Sequence, residues 1–272
     1  MIASSEPNSQ NEAPQEDDAW SMMGVYAEGG AVYLGSGWFL TAGQLGTEGE
    51  VVSFQGEDLE IDSESWASVY YALELPVDVH LFRVVDPGVL PVEGAVVLDR
   101  ELELNDPLLL IGPGRDVKGE AVVVDGEQRF YQGESSQLKW GTSLVSRFEE
   151  EHDGKGFRSS TFDTSLAHGQ AQALEGDIGG GVFVEDEVTG QTFLAGIIIA
   201  SSLRKDPLGT YAYKAPSVDM EQSSWTRSVN LFAYRNQIEE IVSPPNRNVW
   251  LWVTVFVGFL LGLLLLGRWK RA

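Results

Sequence analysis

From Trp20 onward the chain is built from short apolar fragments separated by Gly, Asp and Pro, a rhythm that leaves little room for anything but β-structure. The fragments 31–43, 50–56, 66–75, 78–85, 95–99, 106–112, 120–133, 136–140, 179–186 and 192–202 are each of strand length or a hairpin of two strands. Several alternate apolar and polar residues, as a strand with one buried face requires, and they recur too often for intervening long helices. The pattern predicts an all-β sandwich or barrel. Helical spacing appears late, where Leu231, Tyr234, Ile238 and Ile241 fall three or four residues apart before Pro244 and Pro245 end the segment.

Three other segments frame this middle portion, residues 20–243. Residues 1–19 are polar and acidic, without a base, and read as a disordered tail. Residues 244–248 form a short linker. Val249–Gly267 is then an unbroken apolar run without a charge, close to the roughly 20 residues that span a bilayer core. Trp250 and Trp252 lie near one end and Trp269 just past the other, as interfacial aromatic residues do. The run is expected to be a transmembrane helix. Arg268, Lys270 and Arg271 follow it, against the single Arg247 before it. This bias puts the basic tail 268–272 in the cytoplasm and the β domain outside, in the periplasm. The lack of a charged-then-apolar leader in residues 1–19 argues for the opposite orientation.

Charge excludes one class of ligand. Forty-one acids against 18 bases give a formal net charge of −23, which repels nucleic-acid phosphates. The absence of cysteine removes disulfides, thiolate metal sites and a thiol nucleophile from consideration. No cofactor and no metal site are expected. The acidic run 149–153, which contains His152, reads as a solvated face.

Three motifs, in order and at fitting distances, carry a resemblance. Gly37-Trp38-Phe39-Leu40-Thr41-Ala42-Gly43-Gln44 resembles the "WVLTAAH" strand and turn of the trypsin (chymotrypsin-like serine protease) family. Asp78-Val79-His80-Leu81-Phe82 resembles its "DIALL", and Gly176-Asp177-Ile178-Gly179-Gly180 its "GDSGG". Leu194-Ala195-Gly196-Ile197 matches the strand that follows. Tyr33-Leu34-Gly35, Lys139-Trp140-Gly141-Thr142 and the run 170–177 are similar to segments of a bacterial, membrane-anchored branch. The resemblance covers about residues 22–242 and implies two six-stranded antiparallel β-barrels followed by a C-terminal helix.

The departures bear on activity. The family's mechanism needs a hydroxyl nucleophile, an imidazole base and a carboxylate that orients the base. The resemblance puts Gln44 at the base, Asp78 at the orienting acid and Ile178 at the nucleophile. An amide does not accept and return a proton near neutral pH, and an alkyl group has no attacking atom. Gly176 and Ile178 would supply the two N–H groups of a vestigial oxyanion hole. Gln172 falls at the floor of a vestigial specificity pocket, and Ile199 stands where a Ser supporting the acid is usual. Asp177 matches the carboxylate that, in activated members, pairs with a new N-terminus. Of the three histidines, His80 reads as a surface or edge residue, and His152 and His168 match no family role.

The expectation is a membrane-anchored, catalytically inactive pseudoprotease that binds a protein partner. Two alternatives stand beside it: an accessory subunit of a membrane complex held mainly by its transmembrane helix, and an active serine hydrolase with a non-standard site.

Overall fold

The computed structural model describes residues 18–71, 75–91, 93–114, 117–124, 127–132, 137–152, 158–165, 171–174, 176–186, 188–202, 210–213 and 225–243. The apolar run 249–267, the linker 244–248, the basic tail and His168 lie outside the described residues. Among the described residues no helix is long and apolar enough to cross a membrane. At the other end, the acidic tail stops slightly earlier than expected. Asp18–Ser21 form one helical turn, α1, with Ala19 buried.

The first half is an antiparallel sheet of seven strands: β1 (Met23–Tyr26), β2 (Gly29–Gly35), β3 (Trp38–Ala42), β4 (Val51–Phe54), β5 (Glu57–Glu60), β6 (Ala67–Tyr71) and β7 (Leu75–Arg83). Their order is β5-β4-β1-β2-β3-β7-β6. This corrects the expected six-stranded barrel. Strand β7, nine residues long, pairs with β6 from Leu75 to Leu81. Past its end, Val84 bridges Ile61, Val85 N–H donates to Glu60 O (2.9 Å) and Asp62 N–H donates to Arg83 O (2.9 Å). The sheet therefore curls until the end of β5 meets the end of β7, and β6 is left as an added seventh strand. Inside the curl pack Tyr26, Tyr33, Phe39, Phe54 and Phe82, with the Phe39 and Phe82 rings stacked 5.5 Å apart.

The second half contains the expected closed six-stranded barrel, in the order β11-β12-β16-β14-β13-β8. Its strands are β8 (Pro107–Gly112), β11 (Lys139–His152), β12 (Arg158–Ser165), β13 (Gly181–Glu185), β14 (Thr192–Ser201) and β16 (Trp225–Asn230). Beside it β9 (Val117–Val124), β10 (Glu127–Gln132) and β15 (Thr210–Tyr213) form a separate three-stranded sheet. One apolar cluster joins the halves, with Val32, Leu40 and Leu81 from the first and Phe183, Ile197 and Val229 from the second.

The predicted C-terminal helix begins as a single 3-10 turn over Leu231–Tyr234 and continues as α2 (Arg235–Val242). Leu231, Tyr234 and Ile238 are buried in the cluster that joins the halves, which is why the spacing reads as one apolar stripe. A flank of α2 beside that stripe has a second task. The side-chain amide of Gln237 accepts from Tyr70 N–H (3.1 Å) and donates to Tyr70 O (2.8 Å), completing the outer edge of β6 as a neighbouring peptide would.

The barrel is also pinned by charge. Asp163, 1% exposed, faces Arg147 on β11 and Arg227 on β16, its register partners on both sides. It receives Arg227 Nε at 2.7 Å and Arg147 Nη2 at 2.6 Å, while Glu149 pairs with Arg147 at 2.9 Å. Glu149 of the acidic run is thus an ion-pair partner rather than a solvated charge. Removing one member of a buried network leaves the others unpaired in a poor solvent for charge. Asp163→Ala is expected to cost about 3–5 kcal/mol in urea unfolding. Arg235→Ala, which breaks the exposed Arg235–Glu239 pair on α2, should cost less than about 0.5 kcal/mol.

Candidate functional site

Gln44, Asp78, Ile178 and Ile199 lie where elements of the two halves meet. Strand β3 ends at Ala42, and a 3-10 turn over Gly43–Leu45 carries Gln44 out of the sheet. Asp78 lies on the neighbouring strand, one residue before the Ala42–Val79 pair. The Gln44 amide nitrogen donates to Asp78 Oδ2 at 3.3 Å and also to the backbone carbonyl of Ile199. Its N–H groups are therefore shared between a carboxylate and a carbonyl.

The turn carrying Ile178 is set by a buried carboxylate. Asp177 is fully buried; its Oδ1 accepts from Gly114 N–H (2.7 Å) and its Oδ2 from Leu174 N–H (2.8 Å). Gly180 N–H closes the turn onto Asp177 O at 2.9 Å. Gly179 N–H donates to Ile198 O at 2.8 Å, so Gln44 and this turn hang on consecutive carbonyls of β14. On the other side, Gly30 N–H donates to Ile178 O at 2.8 Å, and Thr41 Oγ1 donates to Gly30 O at 2.7 Å. The approach is backbone against backbone. A Cβ on Gly30 would lie 2.8 Å from the Gly180 nitrogen, and Gly179 holds φ +82°, which a side chain disfavours. The Ile178 side chain, half-buried, packs against the apolar cluster joining the halves.

Ile199 enters differently from the sequence reading. Its side chain is buried in that same cluster, and its carbonyl serves the site by receiving Gln44. Gln172, 1% exposed, donates from its amide nitrogen to Trp225 O (2.8 Å), with Ser202 Oγ at 3.2 Å and Ser201 Oγ at 3.3 Å. The Trp225 carbonyl can only accept, which fixes the orientation of the amide. Its Oε1 is buried and has no hydrogen-bond partner among the described residues. Gly176 sits at φ +92° before the Ile178 turn.

Two residues differ from the sequence reading or were missed by it. Lys139 is 1% exposed, and its ammonium donates to Gly114 O (3.3 Å) and Gln137 O (3.4 Å). Gly114 thus touches a buried ammonium through its carbonyl and the buried Asp177 carboxylate through its N–H. The signal was present: Lys139 stands between Leu138 and Trp140, an unusual place for a solvated lysine. His80 is half-buried rather than at the surface. It shares the face of β7 that bears Asp78 and Phe82, with its ring edge-on to Trp66 at 6.2 Å. Its Nδ1 is buried without a hydrogen-bond partner among the described residues. His152 lies on β11 and pairs through its backbone with Arg158, away from this site.

No protein-family model matches the chain, and no curated protein matches it either. Solved structures do. The chain has the chymotrypsin fold of Rv3671c, a trypsin-like serine protease. The structure of an inactive serine-to-alanine mutant of Rv3671c from M. tuberculosis H37Rv superposes with a TM-score of 0.52 at 11% identity, covering 90% of this chain and 98% of that one. A second structure, the Rv3671c protease in its inactive form, gives a TM-score of 0.52 at 12% identity, covering 89% and 98%. At such identities the likeness is one of fold.

Burial holds the His80 imidazole below its ordinary titration range, near pH 6.5. The unfolded chain then binds this proton more readily than the folded one, so the neutral ring stabilises the fold fully above about pH 6.5. That stability is lost as pH falls through the lowered folded value. His80→Leu should flatten this limb: urea midpoints at pH 7.5 and pH 5 should lie closer together in the variant than in the parent protein.

Proposed function

We propose that this protein is a catalytically inactive trypsin-like domain, a pseudoprotease, that binds a protein partner at a membrane surface. The observation that carries the reading is the state of Gln44. An amide stands where the fold would place a proton-accepting imidazole, and it is tied between Asp78 and the Ile199 carbonyl. The turn opposite offers the hydrocarbon side chain of Ile178 where a hydroxyl would be needed. Loss of one such member costs on the order of 10⁶ in turnover in a comparable enzyme. The turn itself is kept, with Asp177 buried beneath it and Gly176 and Ile178 in place to present backbone N–H groups as a vestigial oxyanion hole. A cleft that keeps its backbone without its chemistry retains a use in holding an extended segment by strand addition. Gln172 and Ile199 belong to the remnant of the specificity pocket in this reading.

The apolar run 249–267 anchors the domain, with the basic tail in the cytoplasm and the β domain on the far side of the membrane. The strongest support is the run's length and its flanking tryptophan and basic residues. A second reading, an accessory subunit held in a membrane complex mainly through that run, rests on the same feature.

A fluorophosphonate probe should leave the purified protein unlabelled, whereas Gln44→His combined with Ile178→Ser should gain labelling. Labelling of the parent protein would refute the inactive assignment. Partner capture from detergent extracts separates the two readings. Gln44→Glu with Ile178→Asp should reduce recovery if the cleft binds, and leave it unchanged if the apolar run carries the affinity. The full chain should stay in the membrane pellet after alkaline extraction, and Leu261→Arg with Leu264→Arg should release it.

A further inference from the structure

A cavity of about 580 Å³ lies between α2 and residues 95–97, the stretch that connects the two halves. Its floor is apolar, with Leu34, Val97 and Ile238 deep and Val96 46% exposed. Its rim carries Glu239 and Glu240, and Ser243, the last described residue, lies in its wall. The chain leaves the described structure from inside this groove.

We propose that the groove is the seat of the chain's own exit segment, residues 244–248. Five residues extend at most about 17 Å, so the segment cannot travel far from Ser243 before the apolar run begins. Its composition matches what the groove offers. Pro244 and Pro245 favour an extended conformation with two apolar rings and little entropy left to lose. Such rings suit the surface of Val96, Val97 and Val242. Arg247 follows, the one cation between Arg235 and Arg268, and it arrives beside an acidic rim. Glu239 is already engaged by Arg235 at 2.6 Å, so Glu240 is the carboxylate that receives Arg247. Seating 244–248 in this way fixes the angle at which residues 249–267 leave the β domain. Neither the cleft nor its chemistry enters this argument, so it stands or falls separately from the pseudoprotease reading.

The chain contains no cysteine, which allows a direct test on the full-length protein in detergent micelles. Val96→Cys with Asn246→Cys should form an intramolecular disulfide under mild oxidation. Val188→Cys with Asn246→Cys is the control, since Val188 is 93% exposed and outside the groove. Glu240→Arg should slow crosslinking of the first pair by about two- to fivefold, the range of one exposed ion pair, and adding Arg247→Glu should restore the rate. Equal rates for the groove pair and the control pair would overturn the proposal. So would disulfide-linked dimers in place of the intramolecular product, because the occupant would then be a second copy.

Discussion

The two halves meet backbone against backbone where Gly30 contacts the Ile178–Gly180 turn, and the candidate site is built around that contact. Gly30 N–H holds the Ile178 carbonyl, Thr41 holds the Gly30 carbonyl, and there is no room for a side chain between them. A contact made of peptide groups has little tolerance, because peptide units cannot rotate aside as side chains do. It places the 43–45 turn from the first half opposite the 176–180 turn from the second. Consecutive carbonyls of β14, at Ile198 and Ile199, then fix both turns. The Gln44 amide and the Ile178 side chain are thereby held by turns that share one strand as their support.

Beneath that contact the stabilising interactions are of different kinds in the two halves. The first half is filled by aromatic rings, and its curl is closed by a few backbone bonds between the ends of β5 and β7. The second half is a closed barrel whose core is mainly aliphatic around Phe162, and the Asp163 network crosses three of its strands. Around Asp177 and Lys139, Gly114 donates its N–H to the carboxylate and accepts from the ammonium at its carbonyl. Both charges are buried and both are hydrogen-bonded, as buried charge requires.

Much of this was legible in the chain itself because it depends on local pattern. Alternation along 78–85 marked β7 and its two faces, and spacing at 231–241 marked the helical end. The three motifs single out Gln44, Asp78 and Ile178; in the fold Gln44 donates to Asp78 and to the Ile199 carbonyl, next to the Ile198 carbonyl that holds the 176–180 turn. What pattern could not supply was pairing at a distance. The seventh strand depends on how far β7 outruns its partners, and the separate sheet of β9, β10 and β15 depends on which neighbours the barrel excludes. Burial of His80 and Lys139 depends on elements far along the chain, Trp66 for one and Gly114 for the other. The acidic run 149–153 misled for a similar reason, since the Arg227 that pairs with Glu149 stands 78 residues away.

The link between Gln237 and Tyr70 ties the fate of one sheet margin to one helix. A single side-chain amide satisfies both backbone polar groups of Tyr70, so they are released together. Any force that lifts α2, including tension passed back from residues 244 onward, would uncover a donor and an acceptor at the spacing a foreign strand recognises. Mechanical load at the carboxyl-terminal end of the domain is thereby coupled to the stickiness of a surface on its opposite half.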